Sequence, residues 1–183
     1  PAFPLFIGLY AVWMTGVVLT LNPFSSEDGT LPHLLSGSGR DVVSGYALTA
    51  SIVGLPVTVG AVVFAGLFLG PASLVVPSAV VSVAILIGVV PAGIGIGLLL
   101  PRLDPISTQA DGPISPSKFA IGGFSVLFLL LSAPSYVLFA LTDSPGWSVP
   151  VVGVTGLTVT LSAVVAVVSF RYAGQKLDTL TLD

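Results

Sequence analysis

The spacing of the charged residues constrains this chain more than any other feature of its sequence. Residues 42–101 form a run of sixty positions without one Asp, Glu, Lys or Arg. A typical soluble domain carries roughly 25% charged residues, whereas this chain carries 7% and is 54% hydrophobic. So few charged side chains cannot cover a water-facing surface for 183 residues. We therefore expect the chain to fold within a membrane.

The uncharged runs predict the number of membrane crossings, because a helix needs about 20 apolar residues to cross a hydrocarbon core of ~30 Å. The run 42–101 is too long for one crossing, and Gly70-Pro71 divides it where proline ends or opens a helix. The runs are continuously apolar and exceed the ~10 residues of a barrel strand, which favours helices. We predict an all-α membrane protein, a single transmembrane domain over residues 1–183, with about five helices at residues 3–21, 46–69, 74–100, 119–141 and 149–170.

The basic residues predict the orientation of these helices. Five crossings place the 22–45 loop, the 101–118 loop and the C-terminus on one side of the membrane. The Gly70-Pro71 turn and the 142–148 loop fall on the other side. Every basic residue lies on the first side, which the positive-inside rule makes cytoplasmic in a plasma-membrane protein: Arg40, Arg102, Lys118, Arg171 and Lys176.

Motifs for catalysis and cofactor binding are missing from the sequence. It has no cysteine and one histidine, His33, and no second ligand stands near His33 at metal-binding spacing. No P-loop occurs, and no charge lies within a predicted span, where it would mark an ion path or a proton relay. We expect no catalytic, cofactor or metal site. A net charge of −3 without a Lys/Arg cluster gives no basis for binding nucleic acid or for an anionic-lipid site.

A glycine-rich stretch lies inside the third predicted helix. Gly93 and Gly97 form a G-x-x-x-G pair on one face, and Pro91 precedes them. Small residues let membrane helices approach closely, so the pair predicts helix packing. The alternative interpretation is a hinge that Pro91 and these glycines make bendable in a translocation path.

The 22–45 loop is the longest polar segment and carries its own pattern. Glu27 and Asp28 precede Leu31, Leu34 and Leu35, whose spacing puts the leucines on one face of a short helix. A Ser-Gly-Ser-Gly break follows, and Arg40 then leads into the second span. A short amphipathic helix in such a loop either lies on the membrane surface or docks into a partner's groove.

The loop resembles the cytoplasmic loop of type-2 ABC exporter permeases. The resemblance is carried, in order along the chain, by Glu27, Gly29-Thr30-Leu31, Leu34-Leu35, Ser38, Arg40, Val42-Val43 and Gly45. Gly37 and Tyr46 depart from the proline and the lysine that are usual there. Residues 99–105 and 170–173 are similar to haloarchaeal permeases of this type.

The resemblance implies a permease that exports a substrate with ATP hydrolysed by a separate subunit. It implies that the 22–45 loop couples to that ATPase through Glu27, Gly29, Leu31, Leu34, Leu35, Ser38 and Arg40. It also implies a second permease half or a homodimer beside membrane lipids. Because the family commonly has six spans per half, and the first residue is Pro1, we expect the C-terminal half of a larger permease. The alternative, favoured by the lack of a polar path, is a non-transport scaffold, assembly factor or sensor.

Overall fold

The computed structural model describes residues 2–21, 38–100, 117–141 and 147–180. These residues form five α-helices and, among the described residues, no strand. A single 3₁₀ turn, Ala72–Leu74, leads into the third helix. The helices are α1 (Phe3–Leu19), α2 (Gly39–Phe68), α3 (Val75–Leu99), α4 (Lys118–Leu141) and α5 (Val149–Leu180).

The predicted all-α membrane fold is confirmed. Helices α2 to α5 are each long and apolar enough to cross a membrane. Helix α1 is equally apolar but has 17 residues, at the short end of the ~17–25 residues that a crossing needs. The chain is therefore a multi-pass membrane protein of four long apolar helices and one shorter one.

Two helices extend further than the sequence analysis predicted. Helix α2 begins at Gly39 rather than at residue 46, and α5 continues to Leu180 rather than ending at residue 170. The helices continue because the added turns bury apolar side chains against each other, Val42 and Val43 from α2 and Ala173 and Leu177 from α5.

Helix α3 lies at the centre of the bundle and contacts the four other helices. Contacts along its length show that α1, α3 and α5 run in the same direction. Gly8 of α1 and Thr20 at its C-terminal end lie beside Ser82 and Gly93 of α3, in that order. Gly88 and Gly95 of α3 lie beside Ser162 and Tyr172 of α5, also in that order. Helices α2 and α4 run the opposite way. The helices thus alternate in direction along the chain, as in an up-and-down bundle.

Interhelical hydroxyls and aromatic rings complete the packing. Ser135 of α4 and Thr158 of α5 share a buried hydrogen bond of 2.6 Å between their hydroxyl oxygens. The half-buried indole of Trp13 donates to the Ser125 hydroxyl at 3.1 Å. Such bonds matter where no water competes for polar groups. The ring of Phe124, fully buried on α4, fills the space beside α1 and α3.

Candidate functional site at the basic end of the bundle

All charged side chains in the described segments lie at one end of the bundle. This end comprises the start of α2, the end of α3, the start of α4 and the end of α5. The residues are Arg40, Asp41, Lys118, Arg171, Lys176 and Asp178. Contacts join these helix ends: Gly39 lies against Gly174, and the Ser117 hydroxyl donates to the Leu100 carbonyl at 3.2 Å. We call this side of the molecule the basic end.

Helix α2 begins at the basic end with a side-chain cap. The backbone of Ser38 is extended, and its hydroxyl oxygen accepts the backbone N–H of Asp41 at 3.3 Å. The same hydroxyl donates to Asp41 Oδ2 at 2.7 Å. This arrangement is a variant of the capping box, which satisfies amide donors that a helix start leaves unpaired. Arg40 lies in the capped first turn with its side chain exposed.

The last turns of α5 pack on this start of α2. The backbone N–H of Gly39 donates to Asp178 Oδ1 at 2.6 Å. A carboxylate is favoured there because the N-terminal end of a helix carries partial positive charge. Gly39 also lies so close to the Gly174 carbonyl oxygen that a Cβ on Gly39 would overlap with it. Only a residue without a side chain fits this contact.

A small apolar cluster holds the two helix ends together beneath the capped turn. Its buried members come from α2, α3 and α5: Val42, Val43, Ile94, Leu98, Ala173 and Leu177. We call residues 38–43 of α2 together with residues 173–178 of α5 the α2–α5 junction. Because the junction combines a capped helix start, a carboxylate and an apolar base, the start of α2 and the end of α5 are held as one unit.

The predicted coupling residues fall partly on this junction. Ser38 is the cap of α2 and Arg40 lies in its first turn. The predicted short helix of the 22–45 loop lies outside the described residues, as do its candidate residues Glu27, Gly29, Leu31, Leu34 and Leu35. Of the predicted coupling set, the structure therefore places only the two residues that lead directly into α2.

The second predicted set, Pro91, Gly93 and Gly97, lies on α3. All three are buried, and the helix continues through Pro91. Gly93 faces α1, and a Cβ there would overlap with the Thr20 hydroxyl oxygen. The set is thus separate from the capped turn of α2. The close contact of Gly93 is of the kind expected for helix packing, and the hinge interpretation stays a prediction.

The sequence analysis missed Gly39, Gly174 and Asp178. A signal for the α5 extension was present, because Phe170, Ala173 and Leu177 follow helical spacing beyond the apolar span. The pairing of Gly39 with Gly174 had no such signal, since the two residues are distant along the chain.

Among the described residues, no group of three His, Cys, Asp or Glu side chains could hold a metal ion. The junction offers hydrogen bonds, charged side chains and apolar contacts. No protein-family model, curated protein or solved structure matches this chain. The functional argument therefore rests on its own residues.

Proposed function

We propose that this chain is the transmembrane permease component of an ABC-type exporter. The observation that carries the proposal is the residue pattern of the 22–45 loop, Glu27 to Gly45, which resembles the ATPase-contacting loop of that family. The chain has no P-loop of its own, so the ATP would be hydrolysed by a separate subunit. In this role the protein lies in the plasma membrane with the basic end toward the cytoplasm.

In this proposal, the α2–α5 junction would transmit movement of the 22–45 loop to the helices. Closure of the ATPase would push on the 22–45 loop, which continues directly into the capped first turn of α2. Because Gly39 is bonded to Asp178 and packed on Gly174, displacement of that turn would also displace α5. Helix α5 in turn packs along α3, so one contact at the loop would rearrange three helices. The substrate path would form with a second permease half or a second copy.

Co-purification from native membranes tests the proposal. The wild-type chain should retain an ATP-binding subunit, whereas Glu27→Lys combined with Leu34→Asp should lose it, because both changes oppose the acidic and apolar pattern of the loop. The matched control is Asp143→Lys, a charge reversal in the loop predicted to lie on the opposite side, which should retain the subunit. Failure of the wild-type chain to retain any ATPase would refute the proposal.

A second candidate function is that of a non-transport membrane scaffold or assembly factor. It is favoured by the described helices, in which no charged side chain lies within an apolar span. It is also favoured by apolar grooves at the surface, such as the one between α1 and α4 that Tyr10, Trp13 and Tyr136 line. Co-purification of membrane proteins without an ATPase, unchanged by the Glu27 and Leu34 substitutions, would support this function instead.

A further inference from the structure

An apolar groove runs down the surface of the bundle from the basic end. It lies where α2, α3 and α5 meet and has a volume of about 500 Å³. Most of its lining is aliphatic or aromatic, including Ala47, Leu48, Ile87, Val90, Val167 and Phe170. Leu48, Ile87 and Val167 are each about half exposed or more. The groove is therefore open on the outer surface, which faces lipid in a membrane.

A second groove continues along α3 and α5 toward the middle of the bundle. It has a volume of about 400 Å³, and Ile87 borders both grooves. Val159 lies at the far end and Arg171 at the near end on α5. At a rise of 1.5 Å per residue these two positions are about 18 Å apart. One leaflet of the hydrocarbon core is about 15 Å thick, so the combined length matches a single acyl chain.

The groove carries positive charge only at its basic end. Of its polar lining residues Ser44, Ser51 and Arg171, only Arg171 is charged, and it lies where α5 leaves the apolar span. The Arg171 side chain is exposed. Of the two acidic side chains described at this end, Asp41 bonds to Ser38 and Asp178 to Gly39. An exposed guanidinium at the mouth of an apolar groove can donate charge-assisted hydrogen bonds to a lipid phosphate.

Arg40 adds a second positive charge near the same end. It lies one turn from Ser44 on α2, and the Ser44 hydroxyl donates to its backbone carbonyl at 2.7 Å. An arginine at the end of a membrane helix keeps its guanidinium at the level of the lipid phosphates. The five basic residues are scattered along the sequence, so only folding brings Arg40 and Arg171 to one end.

We propose that this groove binds one anionic phospholipid, with an acyl chain along α3 and α5 and its phosphate at Arg171. Three features of the groove fit this occupant: the positive charge at its interface end, its apolar lining, and a length close to that of one leaflet. The inference depends on the chain lying in a bilayer and not on a role in transport.

Native mass spectrometry of the detergent-purified chain tests the lipid specificity. Phosphatidylglycerol and phosphatidylcholine with the same acyl chains are added at equal concentrations. We expect the wild-type chain to retain phosphatidylglycerol about fivefold more, since one basic residue near the surface contributes that order of preference. Arg171→Gln should lower the ratio most of the way to one, because Arg40 remains but does not line the groove. The control Lys118→Gln removes an exposed charge at the same end, outside the groove, and should keep the preference.

A second pair of variants tests the apolar part of the site. Val167 lines the groove, whereas its neighbour Val168 does not, and both are exposed. Val167→Trp should lower retention of both lipids by filling the groove, and Val168→Trp should not. Helix content by circular dichroism checks that all variants fold. Equal retention of the two lipids by the wild-type chain, equal losses in Arg171→Gln and Lys118→Gln, or no effect of Val167→Trp would each overturn the proposal.

Discussion

Close contacts between helices occur in two different settings in this molecule. In the interior of the bundle, Gly93 of α3 meets Thr20 of α1 among apolar side chains. At the α2–α5 junction, Gly39 meets Gly174 beside the Asp178 carboxylate. Both contacts are possible because glycine has no side chain. Gly93 and Thr20 are both fully or nearly buried, whereas the Asp178 side chain at the junction is exposed and accepts a hydrogen bond from Gly39.

This difference between the two contacts follows from how backbone groups find hydrogen-bond partners in each region. Inside a membrane the backbone is satisfied within each helix, so close approach gains mainly van der Waals contact. At the junction, the first amides of α2 have no partner within their own helix, so Ser38 and Asp178 accept their hydrogen bonds. Interior contacts should therefore respond mostly to changes in volume. The junction should respond to both volume and polarity.

The largest effect is expected from Gly93→Ala. Its Cβ would overlap with the buried Thr20 hydroxyl, which donates to the Gly16 carbonyl at 2.6 Å, so the free energy of unfolding should fall by about 1–3 kcal/mol. The matched control is Gly95→Ala, where the nearest atom to a Cβ is Tyr172 Cδ1 at 3.7 Å, an ordinary contact. Denaturant-induced unfolding in detergent micelles measures both. Equal stability of the two variants would contradict the assignment of Gly93 to a tight helix contact.

A smaller effect is expected from Gly39→Ala, because the helix ends at the junction can separate more easily than helices in the interior. The substitution should cost about 1 kcal/mol through overlap with the Gly174 carbonyl and weakening of the Asp178 bond. Hydrogen exchange should become faster in residues 173–180. Gly45→Ala, on the same helix with no atom within 4 Å of its Cβ, should leave exchange there unchanged. Equal exchange in the two variants would show that α2 and α5 do not act as one unit.

The smallest effect is expected from the interior hydroxyl pair. A double-mutant cycle with Ser135→Ala and Thr158→Val should give a coupling energy of about 0.6 kcal/mol, typical of interhelical bonds in membranes. The control replaces Thr158→Val with Thr160→Val, whose hydroxyl donates to Gly156 of its own helix, and should show no coupling to Ser135. A Ser135–Thr158 coupling energy larger than the stability loss in Gly93→Ala would contradict the expectation that interior contacts respond more to volume than to polarity.

Most of the fold followed from the sequence. The uncharged runs predict the number and approximate positions of all five helices, because few structures other than a helix satisfy the backbone in lipid. The Gly70-Pro71 break correctly divides α2 from α3, with the 3₁₀ turn immediately after it. Helices α2 and α5 contain the predicted spans and extend past residues 46 and 170, because a helix can continue beyond its apolar span where a partner buries its apolar face.

The candidate site was less accessible to sequence reasoning. The resemblance of the 22–45 loop drew attention to Ser38 and Arg40, yet their contacts with α5 could not be inferred from local pattern. Gly39 and Asp178 are 139 positions apart, and nothing in their spacing indicates that one caps the other. The same holds for Arg171, whose place at the mouth of an apolar groove depends on how α2, α3 and α5 pack.

The sequence by itself determined that this chain is a helical membrane protein and where its helices cross. It did so because hydrocarbon admits few backbone structures, so composition alone is decisive. Only the tertiary structure decided which helix ends meet, which glycines lie in tight contacts and which charges share one end. Those depend on shape complementarity between segments far apart along the chain, a property that no local run of residues contains.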